Sequence, residues 1–210
     1  MNDEEYFKEG DSRYVYISIH NRYTPAFLHR HNFFEIVFVY HGSYAQNIGA
    51  NRKYFSDGDV IFIAPGVYHT MEVFQDDSIV FNILIQQKTF HQMFLPLAKG
   101  DDIHSKFFKE GLYNQHQLEY LVYHTKDSWK SFVLKMYYEH LNHDGFSDQI
   151  LTGMLTYLSA DTMRRFQDTM ESSYFFMQSR QLDDFLVLNY IQEHIDTVTL
   201  TDISKHFGFS

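Results

Sequence analysis

The chain of 210 residues is 44% hydrophobic and 18% aromatic, enough apolar material to bury a core in one medium domain with a smaller companion. It has no cysteine, which excludes disulfides and thiolate metal ligands, and its net charge of −10 argues against a surface that grips DNA along its whole extent. The acidic start "MNDEEYFKEG" is no secretory signal and no apolar run reaches membrane length, so a cytoplasmic protein without a membrane partner is expected.

Up to about residue 90, "SRYVYISIH", "FFEIVFVYHGSY", "GDVIFIAP" and "SIVFNILI" are rich in β-branched and aromatic residues and bounded by Gly, Pro, Asn or Asp. Short strands with no helical period between them predict an antiparallel sandwich or barrel. Residues 91–125 read as an irregular, partly helical connection that closes a first domain of 1–125. The period then changes. Trp129, Phe132, Val133, Met136, Tyr137 and Leu141 make one stripe of a helix capped near Asp127, and "NHDG" ends it. Ser147 is expected to cap a second helix with Ile150, Leu151, Met154, Leu155, Leu158 and Phe166 on one face. Residues 126–170 thus predict an antiparallel helical hairpin. Trp129, Val133, Met136, Leu151, Leu155 and Leu158 are its candidate dimerisation residues, the alternative being that the stripes serve only to cap the sandwich.

Residues 171–182 read as a polar linker, and 183–210 as the start of a second unit. There "DDFLVLNYIQEHI" forms a helix, and Thr199 and Asp202 have capping-box spacing before a short helix that ends at Gly208. Leu188, Ile191, Leu200, Ile203 and Phe207 are its expected core.

Chemistry concentrates in two stretches. In "HRHNFFEIVFVYHG", His29, His31 and Glu35 fit H-x-H-x3-E, with Gly42 seven residues on; Gly58, Gly66 and His69 fit G-x7-G-x2-H. Side chains at i and i+2 of a strand share a face, so His29 and His31 can converge, with Glu35 from the next strand and His69 from the opposite sheet. Three imidazoles and a carboxylate suit one divalent transition metal such as Zn, Fe, Ni or Mn. These motifs resemble those of the cupins, over roughly residues 15–90, which implies a double-sheet jelly roll with His29, His31, Glu35 and His69 as metal ligands. The sequence departs from the family at Ala64, beside Pro65, and at Val73. The same four residues can instead line a pocket or hydrogen-bond one another, with Phe27, Phe33, Tyr44, Phe62 and Tyr68 as aromatic walls. His104, His116, His140 and His143 are read as solvent-facing.

The second stretch, "FLVLNYIQEHIDTVTLTDISKHFGFS", resembles the opening of the DNA-binding domain of AraC-family transcription regulators. The order of parts, a jelly roll, a hairpin, a linker and then a helix-turn-helix, is similar to that family's layout. The resemblance implies a ligand-sensing, homodimeric regulator that is not an enzyme, with a small-molecule effector and a recognition helix starting just after Ser210. From 171 to 210 there are two basic residues against six acidic ones, so this chain is expected to bind DNA feebly, although the full-length protein would bind it. The alternative is a metal-dependent cupin enzyme, a dioxygenase or isomerase.

Overall fold

The apolar runs become strands β1 (Val15–Ile19), β2 (Phe34–His41), β3 (Ser43–Ile48), β4 (Asn51–Ser56), β5 (Asp59–Ile63), β6 (Ile79–Ile85), β7 (Tyr120–His124) and β8 (Glu171–Ser172). The helices are α1 (Gln87–Phe94), α2 (Ile103–Tyr113), α3 (Lys130–Asn142) and α4 (Ser147–Phe166). The computed structural model describes residues 13–48, 51–98, 102–113, 118–173 and 199. It divides into two units, Met1–Glu171 and Ser172–Ser210, and the architecture below is that of the first. The expected helix-turn-helix core, Leu188, Ile191, Leu200, Ile203 and Phe207, lies outside the described residues.

One sheet has the order β1-β6-β2-β5-β7-β8, and its β1·β6, β6·β2, β2·β5 and β5·β7 pairings are antiparallel. The second layer is the β3·β4 hairpin, widened by single bridges from Ala45 to Glu72, from Ile48 to His69 and from His69 to His29. These two layers form a jelly-roll-like fold followed by a helical hairpin. The strand predicted across 33–44 is broken at Gly42, whose φ of +76° turns the chain from one layer into the other. Gly58 has φ +83°, and a Cβ there would meet the Lys126 backbone at 2.3 Å, so only glycine lets the turn before β5 sit against the end of β7.

β2 and β5 are buried over nearly their whole length, because one face meets the second layer and the other meets helices. Both faces must then be apolar, which explains the unbroken "FEIVFV" and "VIFI" runs. On the helical side, Phe62 meets Phe94, Phe108, Tyr123 and Trp129 at centroid distances of 5.7–6.5 Å. The segment expected to be irregular holds α1, α2 and β7.

The hairpin differs from expectation in three ways. Trp129, Val133, Met136, Leu151, Leu155 and Leu158, the proposed dimerisation residues, are all fully or almost fully buried within one copy of the chain. They pack on the sheet, and their burial is what a cap on the sandwich requires. Ser147 is the first residue of α4 rather than its cap: its Oγ accepts the Asp144 N–H at 2.9 Å and donates to Glu139 at 2.6 Å. His140 is buried rather than solvent-facing, with its ring edge-on to Tyr16 of β1 at 4.9 Å.

Candidate metal and ligand site

Glu35 lies near the start of β2, opposite Ile63 of β5 and Leu84 of β6, so its side chain faces the second layer. His29 and His69 face it from that layer as neighbours. Each backbone N–H donates to the other's carbonyl, at 3.0 and 2.9 Å, so the two imidazoles lie on adjacent segments rather than opposite sheets. His31 is held by its carbonyl, which accepts the Gly66 N–H at 2.7 Å; the φ of +81° at Gly66 makes that approach possible. The two motifs are therefore stitched together through their backbones before any side chain acts.

The structure brings three of the four expected residues into one cluster. His31 Nε2 stands 3.0 Å and His69 Nε2 3.1 Å from the same Glu35 oxygen, and candidate ligand atoms of the three lie within 4.8 Å of one another. All three residues are buried. His29 is outside this set. Its ring centre is 4.3 Å from that of His69 and 6.2 Å from that of His31, and it lines the adjoining cavity.

Backbone carbonyls determine which nitrogen of each ring carries hydrogen. His29 Nδ1 lies 3.0 Å from the Phe27 oxygen, His31 Nδ1 2.8 Å from that of Phe33, and His69 Nδ1 3.0 Å from that of Val67. A carbonyl only accepts, so Nδ1 is the donor in all three rings, and a neutral ring then has a bare lone pair at Nε2. Two such lone pairs beside an ionised carboxylate would repel it. The cluster therefore requires positive charge at its centre, from protons on the imidazoles or from a cation held among them. His69 Nε2 is within ion-pair distance of Glu35 but lacks hydrogen-bond alignment, and among the described residues it has no other hydrogen-bond partner. An inward-facing nitrogen of this kind, with its far side fixed by a carbonyl, fits a metal ligand.

The charges follow the same logic. Burial alone would raise the Glu35 pKa, but the His31 and His69 imidazoles outweigh it and hold the carboxyl ionised, well below the usual range. Burial opposes charge on His69, yet Glu35 beside it wins and raises its pKa. His29, farther from Glu35, has its pKa lowered chiefly by burial.

A cavity of about 370 Å³ opens onto this cluster. His29, His31, Glu35, Phe33 and Phe27 line it, with Phe33 stacked on His31 at 4.1 Å, while His69 is not among its lining residues. Tyr44, Phe62 and Tyr68 do not. Tyr44 is buried and donates to Gln46 at 2.9 Å, Phe62 belongs to the helical side of the sheet, and half-exposed Tyr68 lies under Arg30 at 4.9 Å. The sequence reading missed Ser18, His20 and Asn82, which also line the cavity. Asn82 is the one strongly polar residue inside "IVFNILI", and that interruption was its available signal.

No protein-family model matches the sequence, and no curated protein matches it. Among solved structures, an apo variant of ToxT from Vibrio cholerae is similar with a TM-score of 0.51 at 11% identity, over 95% of this chain and 72% of that one. ToxT from Vibrio cholerae bound to a methylnaphthalenyl-butenoic acid gives 0.47 at 10% identity, over 94% and 73%. Oxalate decarboxylase from Bacillus subtilis gives 0.32 at 16% identity, over 38% and 23%. The first likeness shows a shared fold. Among the described residues, no helix is long and apolar enough to cross a membrane.

Proposed function

We propose that this chain is the ligand-sensing region of an AraC-type transcription regulator, with a small-molecule effector held in the cavity over His31 and Glu35. The observation that carries this reading is a buried, charge-demanding cluster at the wall of a cavity large enough for a small organic molecule, inside a jelly roll that carries a helical hairpin. The ToxT-like fold and the regulator-like order of segments support it. Effector binding would act by population shift, favouring one arrangement of the hairpin and the downstream DNA-binding unit over another.

If a metal is resident, His31, His69 and Glu35 would hold it, and it would supply a Lewis-acidic point for an oxygen or nitrogen of the effector. The protein's own part is to keep both Nε2 atoms pointing inward. The homodimer expected of such a regulator would use the outward face of the hairpin, where Tyr138, Leu141, Phe146, Ile150 and Tyr157 are exposed. A second reading, a metal-dependent cupin enzyme, rests on the same two imidazoles and carboxylate.

The test screens metabolites by thermal shift on the 210-residue chain, alongside metal analysis of protein purified without chelator. A metabolite that stabilises the wild type, is recovered unchanged, and no longer stabilises Glu35→Leu supports the sensor. Stoichiometric metal together with turnover of that metabolite would replace the sensor with the enzyme.

A further inference from the structure

Beside Glu35 on the cavity wall are two buried polar atoms without hydrogen-bond partners among the described residues, His20 Nε2 and Asn82 Oδ1. Their residues touch each other, with Asn82 Nδ2 3.5 Å from His20 Nδ1. Asn82 pairs with Val37 of β2, two residues along from the Leu84–Glu35 pair, so it shares Glu35's face of the sheet. Glu35 and Asn82 are thus diagonal neighbours, their backbones about 7–8 Å apart.

The contact determines what the pair offers. An amide N–H donated to Nδ1 leaves the ring proton on Nε2, so His20 presents a donor and Asn82 Oδ1 an acceptor. If the amide turns over and the ring takes its other tautomer, donor and acceptor change places and the pair still presents one of each. Burial lowers the His20 pKa, which keeps this pole uncharged. At this pole an anion would face the carbonyl oxygen of Asn82 beside a single donor.

We infer that His20 and Asn82 form a neutral donor–acceptor subsite that selects an uncharged ligand carrying a carboxamide or lactam edge on an apolar body. This rests on the reading of the cavity as an effector site. A carboxamide returns an acceptor and a donor from neighbouring atoms, the complement of the pair. Phe27, Phe33, Met71 and Leu84 line the same space and suit an apolar ring or chain. A hydrocarbon of the same shape would leave both polar atoms unpaired.

The test is saturation-transfer NMR of the full 210-residue chain with four probes of similar size: benzamide, pyridone, benzoate and toluene. Benzamide and pyridone should bind the wild type about tenfold more tightly than benzoate or toluene. Asn82→Leu should bring benzamide down to the level of toluene and leave toluene itself unchanged. His20→Phe, outside the strands, makes the same test should Asn82→Leu fail to fold. Equal binding of benzoate or toluene in the wild type, or benzamide binding unaltered in both variants, would overturn the subsite while leaving a ligand cavity. Failure of every probe to bind the wild type would remove the cavity reading as well.

Discussion

Glu35 is sealed between two imidazoles whose Nδ1 atoms are tied to the backbone, so no rotation of those rings can relieve the loss of its charge. Replacing it by leucine leaves His31 and His69 facing each other without a counter-charge. Glu35→Leu should cost about 3–5 kcal/mol, read as a lower urea midpoint at unchanged slope. A loss below about 1 kcal/mol would mean that the cluster holds no charge. His29, His31, Glu35 and His69 could be found in the sequence because three imidazoles, a carboxylate and the turn glycines stand at set intervals. The exclusion of His29 from the cluster could not be read there, since it depends on the backbone pairing of His29 with His69. His20 and Asn82 escaped because their partnership joins the residue after β1 to β6, far apart in sequence.

At the scale of elements, periodicity identified the hairpin but could not say which partner its stripe meets. An apolar face looks the same whether a sheet or a second subunit covers it. The structure assigns Leu155 to the sheet side, so Leu155→Asp should unfold the chain by burying a charge rather than produce a folded monomer. Leu141→Glu, on the exposed face, should keep the melting temperature and shift sedimentation to the monomer if the hairpin dimerises. β7 was missed because "YLVYH" lies between helical segments, and its strand identity comes from the open edge of β5 that it pairs with. β7 also carries a pH-dependent contact. His124 Nδ1 stands 2.7 Å from Asp59 and its Nε2 3.4 Å from Glu171, which Lys53 holds at 2.7 Å. Burial works against charge on His124, but Asp59 and Glu171 raise its pKa above 6.5; Lys53, first among its partners, lowers that of Glu171 below 4.5. The histidine's contribution is complete below 6.5 and fades as pH rises through its raised value. The glutamate's is complete above 4.5 and fades as pH falls. Stability from this contact should peak between those limits and decline towards alkaline pH, by about 0.5 kcal/mol because the groups are half exposed. Urea midpoints of His124→Gln should lack that decline.

For the molecule as a whole, charge decides more than shape. With a net charge of −10, the 210-residue chain has no overall attraction for a polyanion. It should therefore give no specific gel shift at physiological salt, whatever its cavity holds, and a tight complex would overturn the expectation that this chain binds DNA feebly. The layered fold was foreseeable because the strand-period runs of β1, β2, β5 and β6 all precede the helix-period stripes of the hairpin. The widening of the small second layer by single bridges was not, since each bridge joins residues with no shared pattern.

Trp129 is the chain's sole tryptophan, buried between the hairpin and the sheet, with its Nε1–H donating to Thr162 of α4 at 2.8 Å and its ring 6.0 Å from Phe38 and 6.4 Å from Phe62. That placement makes the protein its own optical reporter. Emission excited at the indole should be short in wavelength while the helices are docked and move to the red as they lift away. Any lifting of the hairpin from the sheet, including the effector-driven movement proposed above, can thus be followed in real time without an attached dye.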